Sequence, residues 1–169
     1  GHPEHKVPGV EASTGSLGHG LSIGIGFALN ARFHRADYRT FVIIGDGESN
    51  EGSIWEAALS AGKHKLSNLT VIVDYNKHQS YASTFEVQDL EPLADKWTSF
   101  GFASVEVNGH DVGEIRAALS KVPISPDKPT ALICHTVKGK GVSYMENVPI
   151  WHYRSPSPEE YQQAVRELR

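Results

Sequence analysis

Residues 41–62 read FVIIGDGESNEGSIWEAALSAG. An apolar run ends at Gly45, and a helical pattern begins at Ser53. Strand, glycine turn and helix in that order often hold a phosphate, because a helix N-terminus carries partial positive charge. This loop, however, is acidic: Asp46, Glu48 and Glu51 stand where an anion would sit. Each of the three can be a helix cap or a dipole-favoured surface group, and each can be a ligand. The loop alone does not separate these readings.

Three further runs resemble the strand that opens this stretch. Together the four are Thr40–Ile44 (TFVII), Leu69–Asp74 (LTVIVD), Phe102–Val107 (FASVEV) and Thr130–Val137 (TALICHTV), all short, apolar and rich in β-branched residues. Such near-continuous runs suit strands buried on both faces. Helix-period segments lie between and around them: about 17–35, 53–65, 90–100 and 111–122. The alternation predicts an α/β fold, a parallel sheet flanked by helices. Ligands of such folds lie at the carboxyl ends of the strands. That places Gly45–Asp46, Tyr75–Asn76, Asn108–His110 and Lys138–Gly141 along one rim.

Asp111 reads as the N-cap of its helix. A long loop with little periodicity spans 138–156, and loops of this length are often functional or partner-facing. The final helix, 157–169, starts with Ser157 as cap, Pro158 at its first position and Glu160 completing a capping box. The 169 residues read as a single domain.

Composition narrows the function. The chain is 39% hydrophobic and 21% charged, with a net charge of −4, which argues against general nucleic-acid binding. No apolar run approaches the roughly 20 residues a membrane span requires. The single Cys134 excludes an internal disulfide and suits a reducing cytoplasm, the expected location. The start, GHPEHKVPGVE, lacks the basic and apolar regions of a signal peptide. Without an initiator Met, it reads as a fragment or a processed chain.

Five glycines, Gly15, Gly18, Gly20, Gly24 and Gly26, crowd the start of the first helical segment. Their spacing departs from the dinucleotide fingerprint and no strand directly precedes them, so an unrelated nicotinamide-type nucleotide site is disfavoured. Close helix packing through small residues and close backbone approach to a ligand both stay open. The acidic loop gains meaning beside VDYNKHQ, residues 73–79. Both segments follow strands and reach the same rim. Asp46 offers a carboxylate oxygen, Asn76 an amide oxygen and His78 its backbone carbonyl. Three hard oxygen donors without thiolate or imidazole suit Mg2+, with Ca2+ as the alternative. The acid then holds a cation that meets the phosphate.

GDGESNEG, with Asn76 thirty residues after Asp46, resembles the Gly-Asp-Gly…Asn motif of thiamine diphosphate enzymes. Its company is more specific. GHPEHKVPGVEASTGSLGHGLSIGIGFA, EAALSAGKHKLSNLTVIVDYNKHQS, LADKWTSFGF, EVNGHD, TVKGKGVSYMEN and WHYRSPSPEEY occur in that order and resemble transketolase, in particular the separate amino-terminal subunit of split transketolases. The resemblance covers almost the whole chain.

The resemblance implies the pyrophosphate-domain fold and both thiamine diphosphate and a divalent cation as cofactors. By position, Asp46 and Asn76 bind the metal through side chains and His78 through its carbonyl. Gly45, Gly47 and Glu48 line the diphosphate, the last two through backbone groups, and Gly15 and Leu17 approach the cofactor. His2 contacts sugar hydroxyls, and His152 lies near the diphosphate and the reacting carbon. Glu51 and Glu56 belong to the contact that links paired active sites. The implied activity is transfer of a two-carbon ketol unit between sugar phosphates. The implied partner is a carboxy-terminal subunit carrying the pyrimidine-binding domain, in a dimer of heterodimers inactive as the lone chain.

The family's unit begins further upstream and supplies another diphosphate-facing His there. GSLGH and HQSYAST also depart from the usual runs. A subunit of a thiamine-dependent 2-oxo acid enzyme shares Gly-Asp-Gly…Asn, but His2 and WHYRSP argue for sugar chemistry. A non-catalytic interaction subunit retaining the fold is the other alternative.

Overall fold

The computed structural model describes residues 2–169. Its four strands are β1 (Thr40–Gly45), β2 (Leu69–Tyr75), β3 (Ala103–Asn108) and β4 (Thr130–His135). All pair in parallel, in the spatial order β1-β2-β4-β3. The helices are α1 (His19–His34), α2 (Gly52–Lys63), α3 (Thr84–Val87), α4 (Leu93–Ser99), α5 (Val112–Leu119) and α6 (Pro158–Glu167), with 3-10 turns at Gly47–Asn50 and Pro149–His152. The parallel α/β architecture is the one the alternating runs predict.

Alternate residues of the strands feed one main core. Val42, Ile44, Val71, Val73 and Ile133 face Leu21, Ile25 and Ala28 of α1, Ile54 and Ala58 of α2, and Leu93 and Trp97 of α4. Gly24 sets how closely α1 lies on the sheet. A Cβ there would stand 2.3 Å from Val42 Cγ2, so for this glycine the packing reading holds. Trp97 is fully buried edge-on to Phe102, with ring centroids 4.9 Å apart.

The other face of the sheet differs from the expectation of burial on both sides. Here α5 covers only the β3–β4 side, over Ile72, Val105, Val107, Leu132 and Cys134. Beyond it, Phe41 and Ile43 of β1 are 46% and 73% exposed. Helix α1 likewise shows apolar side chains on its outer surface, Ile23, Phe27 and Phe33 among them. No helix among the described residues is long and apolar enough to cross a membrane.

The parallel register brings the strand ends together. Gly45 pairs with Asp74, Tyr75 with His135, and Asn108 with His135. The 138–156 loop also reaches this rim, and it is not loose. Tyr144 OH donates to the Glu160 carbonyl at 2.6 Å, and Trp151 Nε1 to the Tyr144 carbonyl at 2.9 Å. The Arg154 guanidinium lies 4.5 Å from the Trp151 ring centroid and pairs with Glu160. Glu160 also accepts from Ser157 N, completing the capping box of α6. One helix thus anchors the loop.

Candidate functional site

Asp46 leaves β1 and caps the following 3-10 turn, its Oδ1 accepting from Gly47 N at 2.7 Å. Its Oδ2 accepts from Lys77 N, across from β2. The residue is 1% exposed. Burial pushes its carboxyl up to about 6, and nearby Asp74 adds to the rise. The two N–H donors and the more distant positive charge of Lys138 oppose it. No basic side chain bonds to the Asp46 carboxylate among the described residues; its two oxygens accept from backbone N–H groups.

The neighbouring loop offers oxygen. Asn76 Oδ1 accepts from His78 N at 2.9 Å and keeps a second lone pair. Lys77, between them, has φ 67°, a left-handed conformation uncommon for a side-chain-bearing residue. This turn aims its N–H at Asp46. Its carbonyl accepts from Thr84 N at 2.9 Å, and Gln79 N donates to the Ala82 carbonyl at 2.8 Å. Among the described residues no hydrogen bond uses the His78 carbonyl. No group of three or more His, Cys, Asp or Glu side chains gathers there either. One carboxylate, one amide oxygen and one free carbonyl are the oxygen donors these two adjoining turns offer. A hard divalent cation that completes its shell with water and phosphate oxygens fits such a set.

The amino-terminal glycine loop docks on the same acidic turn. Gly18 N donates to Glu48 Oε1 at 2.9 Å, and the Gly18 carbonyl accepts from Ser53 Oγ at 3.1 Å. On the far side of the rim, Lys138 Nζ lies 3.4 Å from His152 Nδ1.

The family model "Transketolase, thiamine diphosphate binding domain" matches residues 1–166. The chain belongs to this family. It is 48% identical over 168 residues to an apulose-4-phosphate transketolase subunit from Phocaeicola vulgatus, covering 99% of this chain and 60% of that protein. It is 41% identical over 163 residues to the 6-deoxy-6-sulfo-D-fructose transketolase subunit SqwG of a Clostridium species, covering 96% of this chain and 59% of that protein. The chain thus spans about three-fifths of the length of these curated relatives. Transketolase from Campylobacter jejuni superimposes with a TM-score of 0.89 at 31% identity, over 99% of this chain and 27% of that one.

The remaining residues expected from the transketolase resemblance fall as follows. His2 is exposed, and its ring packs against Gly15: a Cβ on that glycine would stand 2.8 Å from His2 Cδ2. Leu17 is 56% exposed. Glu51 is the N-cap of α2 without a side-chain capping bond, and both it and Glu56 are exposed. Along α2, Ile54 and Ala58 are buried, and Leu59 is 60% exposed. Trp55 donates to the Ser49 carbonyl at 2.8 Å.

Two features were not legible in the sequence. The Glu48 side chain, and not only its backbone, contributes contacts. Lys138 has its charge acting on Asp46 and its ammonium beside His152. Only the Gly139-Lys140-Gly141 run beside it signalled an unusual turn.

Proposed function

We propose that this chain is the diphosphate-binding subunit of a split, Mg2+-dependent transketolase. Its reaction is the transfer of a two-carbon ketol unit from a ketose phosphate to an aldose acceptor. The observation that supports the reading is the buried Asp46 carboxylate, tied through Lys77 N to the turn that carries Asn76 and a His78 carbonyl without a hydrogen-bond partner among the described residues.

Asp46, Asn76 and the His78 carbonyl would hold the cation, with Ca2+ as the alternative ion. Gly45, Gly47 and Glu48 would line the diphosphate, and Gly15 and Leu17 would border the cofactor. Bound thiamine diphosphate supplies the thiazolium chemistry that breaks and forms the carbon–carbon bond. The chain's own residues bind, orient and move protons. His2, seated on Gly15, is suited to hydrogen-bond sugar hydroxyls. His152 is suited to proton exchange near the reacting carbon. The adjacent Lys138 ammonium adds positive charge where a diphosphate would bring negative charge.

The partner would be a carboxy-terminal subunit carrying the pyrimidine-binding domain, in a dimer of heterodimers contacted through Glu51 and Glu56. The names of the subunit relatives support that division. The test is ketol transfer from xylulose 5-phosphate, with Mg2+ and thiamine diphosphate, by the chain alone and by the chain with such a partner. Turnover is expected only in the mixture. Full turnover by the lone chain would overturn the split reading, and pyruvate turnover in place of sugar turnover would overturn the substrate class.

A further inference from the structure

The two loops that border the proposed diphosphate site come from distant parts of the sequence. One ends at Gly18, and the other runs from Gly45 through Glu48. The Glu48 side chain is what joins them. Its Oε1 accepts from Gly18 N at 2.9 Å, and its Oε2 faces Gly45 N at 3.4 Å. Ser53 Oγ donates to the carbonyl of the same Gly18. Both backbone polar groups of that residue are therefore held by the segment after β1.

Gly18 is fitted to this role. Its φ is 82°, and a Cβ would stand 2.2 Å from Ser53 Oγ and 2.9 Å from Glu51 Cβ. Only a glycine lets the backbone come this close. Gly18 is buried and is also the N-cap of α1, where a side-chain acceptor normally serves the helix. Gly18 has no such side chain, and its own N–H uses the Glu48 carboxylate.

We propose that Glu48 is a positioning residue, resting on the reading of this rim as a diphosphate site. Its carboxylate fastens the Gly15–Gly18 loop to the metal-binding turn, so that both sides of the site are set before the cofactor arrives. Prior ordering lowers the entropy lost on binding. Losing the fastening weakens cofactor binding without removing any ligand of the metal.

The test uses the full chain labelled with nitrogen-15. In the ligand-free protein, amide exchange of Gly18 is expected to rise at least about tenfold in Glu48→Ala, the scale of one lost hydrogen bond to a charged group. Thiamine diphosphate titrated calorimetrically at saturating Mg2+ should bind Glu48→Ala about tenfold more weakly. Glu48→Gln keeps an acceptor for Gly18 N and should recover most of both effects. Unchanged Gly18 exchange in Glu48→Ala would overturn the proposal, as would a Gln variant as weak as the Ala variant. If Glu48→Ala does not fold, Glu48→Asp draws the carboxylate back from Gly18 N and should also speed its exchange; unchanged exchange there overturns the proposal. A wild-type chain that binds no thiamine diphosphate would defeat the proposed function, while the exchange comparison would still decide whether the fastening exists.

Discussion

Replacing Asp46 with Asn gives a pH signature that follows from burial. The Asp46 carboxyl is pushed from 3.8 to about 6, with burial as the main cause. Its folded value lies above its unfolded value, so the folded state binds the extra proton between them. The group's contribution to stability is therefore most favourable below the unfolded value and falls as pH rises through about 6. A rise of about two pH units corresponds to about 3 kcal/mol over the whole window, of which about 2 kcal/mol falls above pH 4.5. Urea unfolding of the metal-free chain from pH 4.5 to 7.5 reads it directly. The wild type is expected to lose about 2 kcal/mol relative to D46N across that range. D46N also loses an acceptor for Gly47 or Lys77 N–H, but that cost is independent of pH and only shifts its curve. Mg2+ with thiamine diphosphate should hold the carboxylate ionised, abolish the wild-type loss above pH 6 and leave D46N unchanged. Parallel pH profiles for the two metal-free proteins would refute the reasoning.

Other substitutions test the scaffold. Gly24→Ala should destabilise the chain by about 1–2 kcal/mol in urea, because overpacking against Val42 exceeds the gain in helix propensity. Ser157→Ala removes the α6 capping box, should cost about 1 kcal/mol and should hasten tryptic cleavage at Lys138 and Lys140. Tyr75→Phe removes the 2.6 Å bond to Glu91, which holds the Glu91 carboxyl below its usual range. The expected loss is about 1–2 kcal/mol in the same assay, together with a rise of the Glu91 carboxyl followed by NMR titration.

Periodicity revealed much of this fold because the apolar runs are short and bounded. Thr40–Ile44 and Leu69–Asp74 lie within β1 and β2. The parallel register then placed Asp46 and Asn76 on one rim without further information. The open side of β1 was not legible, since Phe41 and Ile43 are as apolar as buried strand residues; what covers them is a tertiary question. The order in the 138–156 loop was hidden for a related reason. Tyr144, Trp151 and Arg154 have no period, and the contacts that fix them converge on Glu160 of α6. Helix α3 left a local sign in Ser83 and Glu86, which form a capping box, but its four residues are too few to show helical periodicity. The Glu48 carboxylate reaches Gly18 across thirty residues, and no spacing rule connects them.

In the proposed function, Asp46, Asn76 and His78 hold a cation that recruits a diphosphate. Calorimetric titration of thiamine diphosphate into the chain, with Mg2+ and after chelation, tests it most directly. Saturable binding is expected only with Mg2+, and D46N should show none. Equal binding with and without the metal, or in D46N, would mean that the acidic turn holds no cation for the diphosphate.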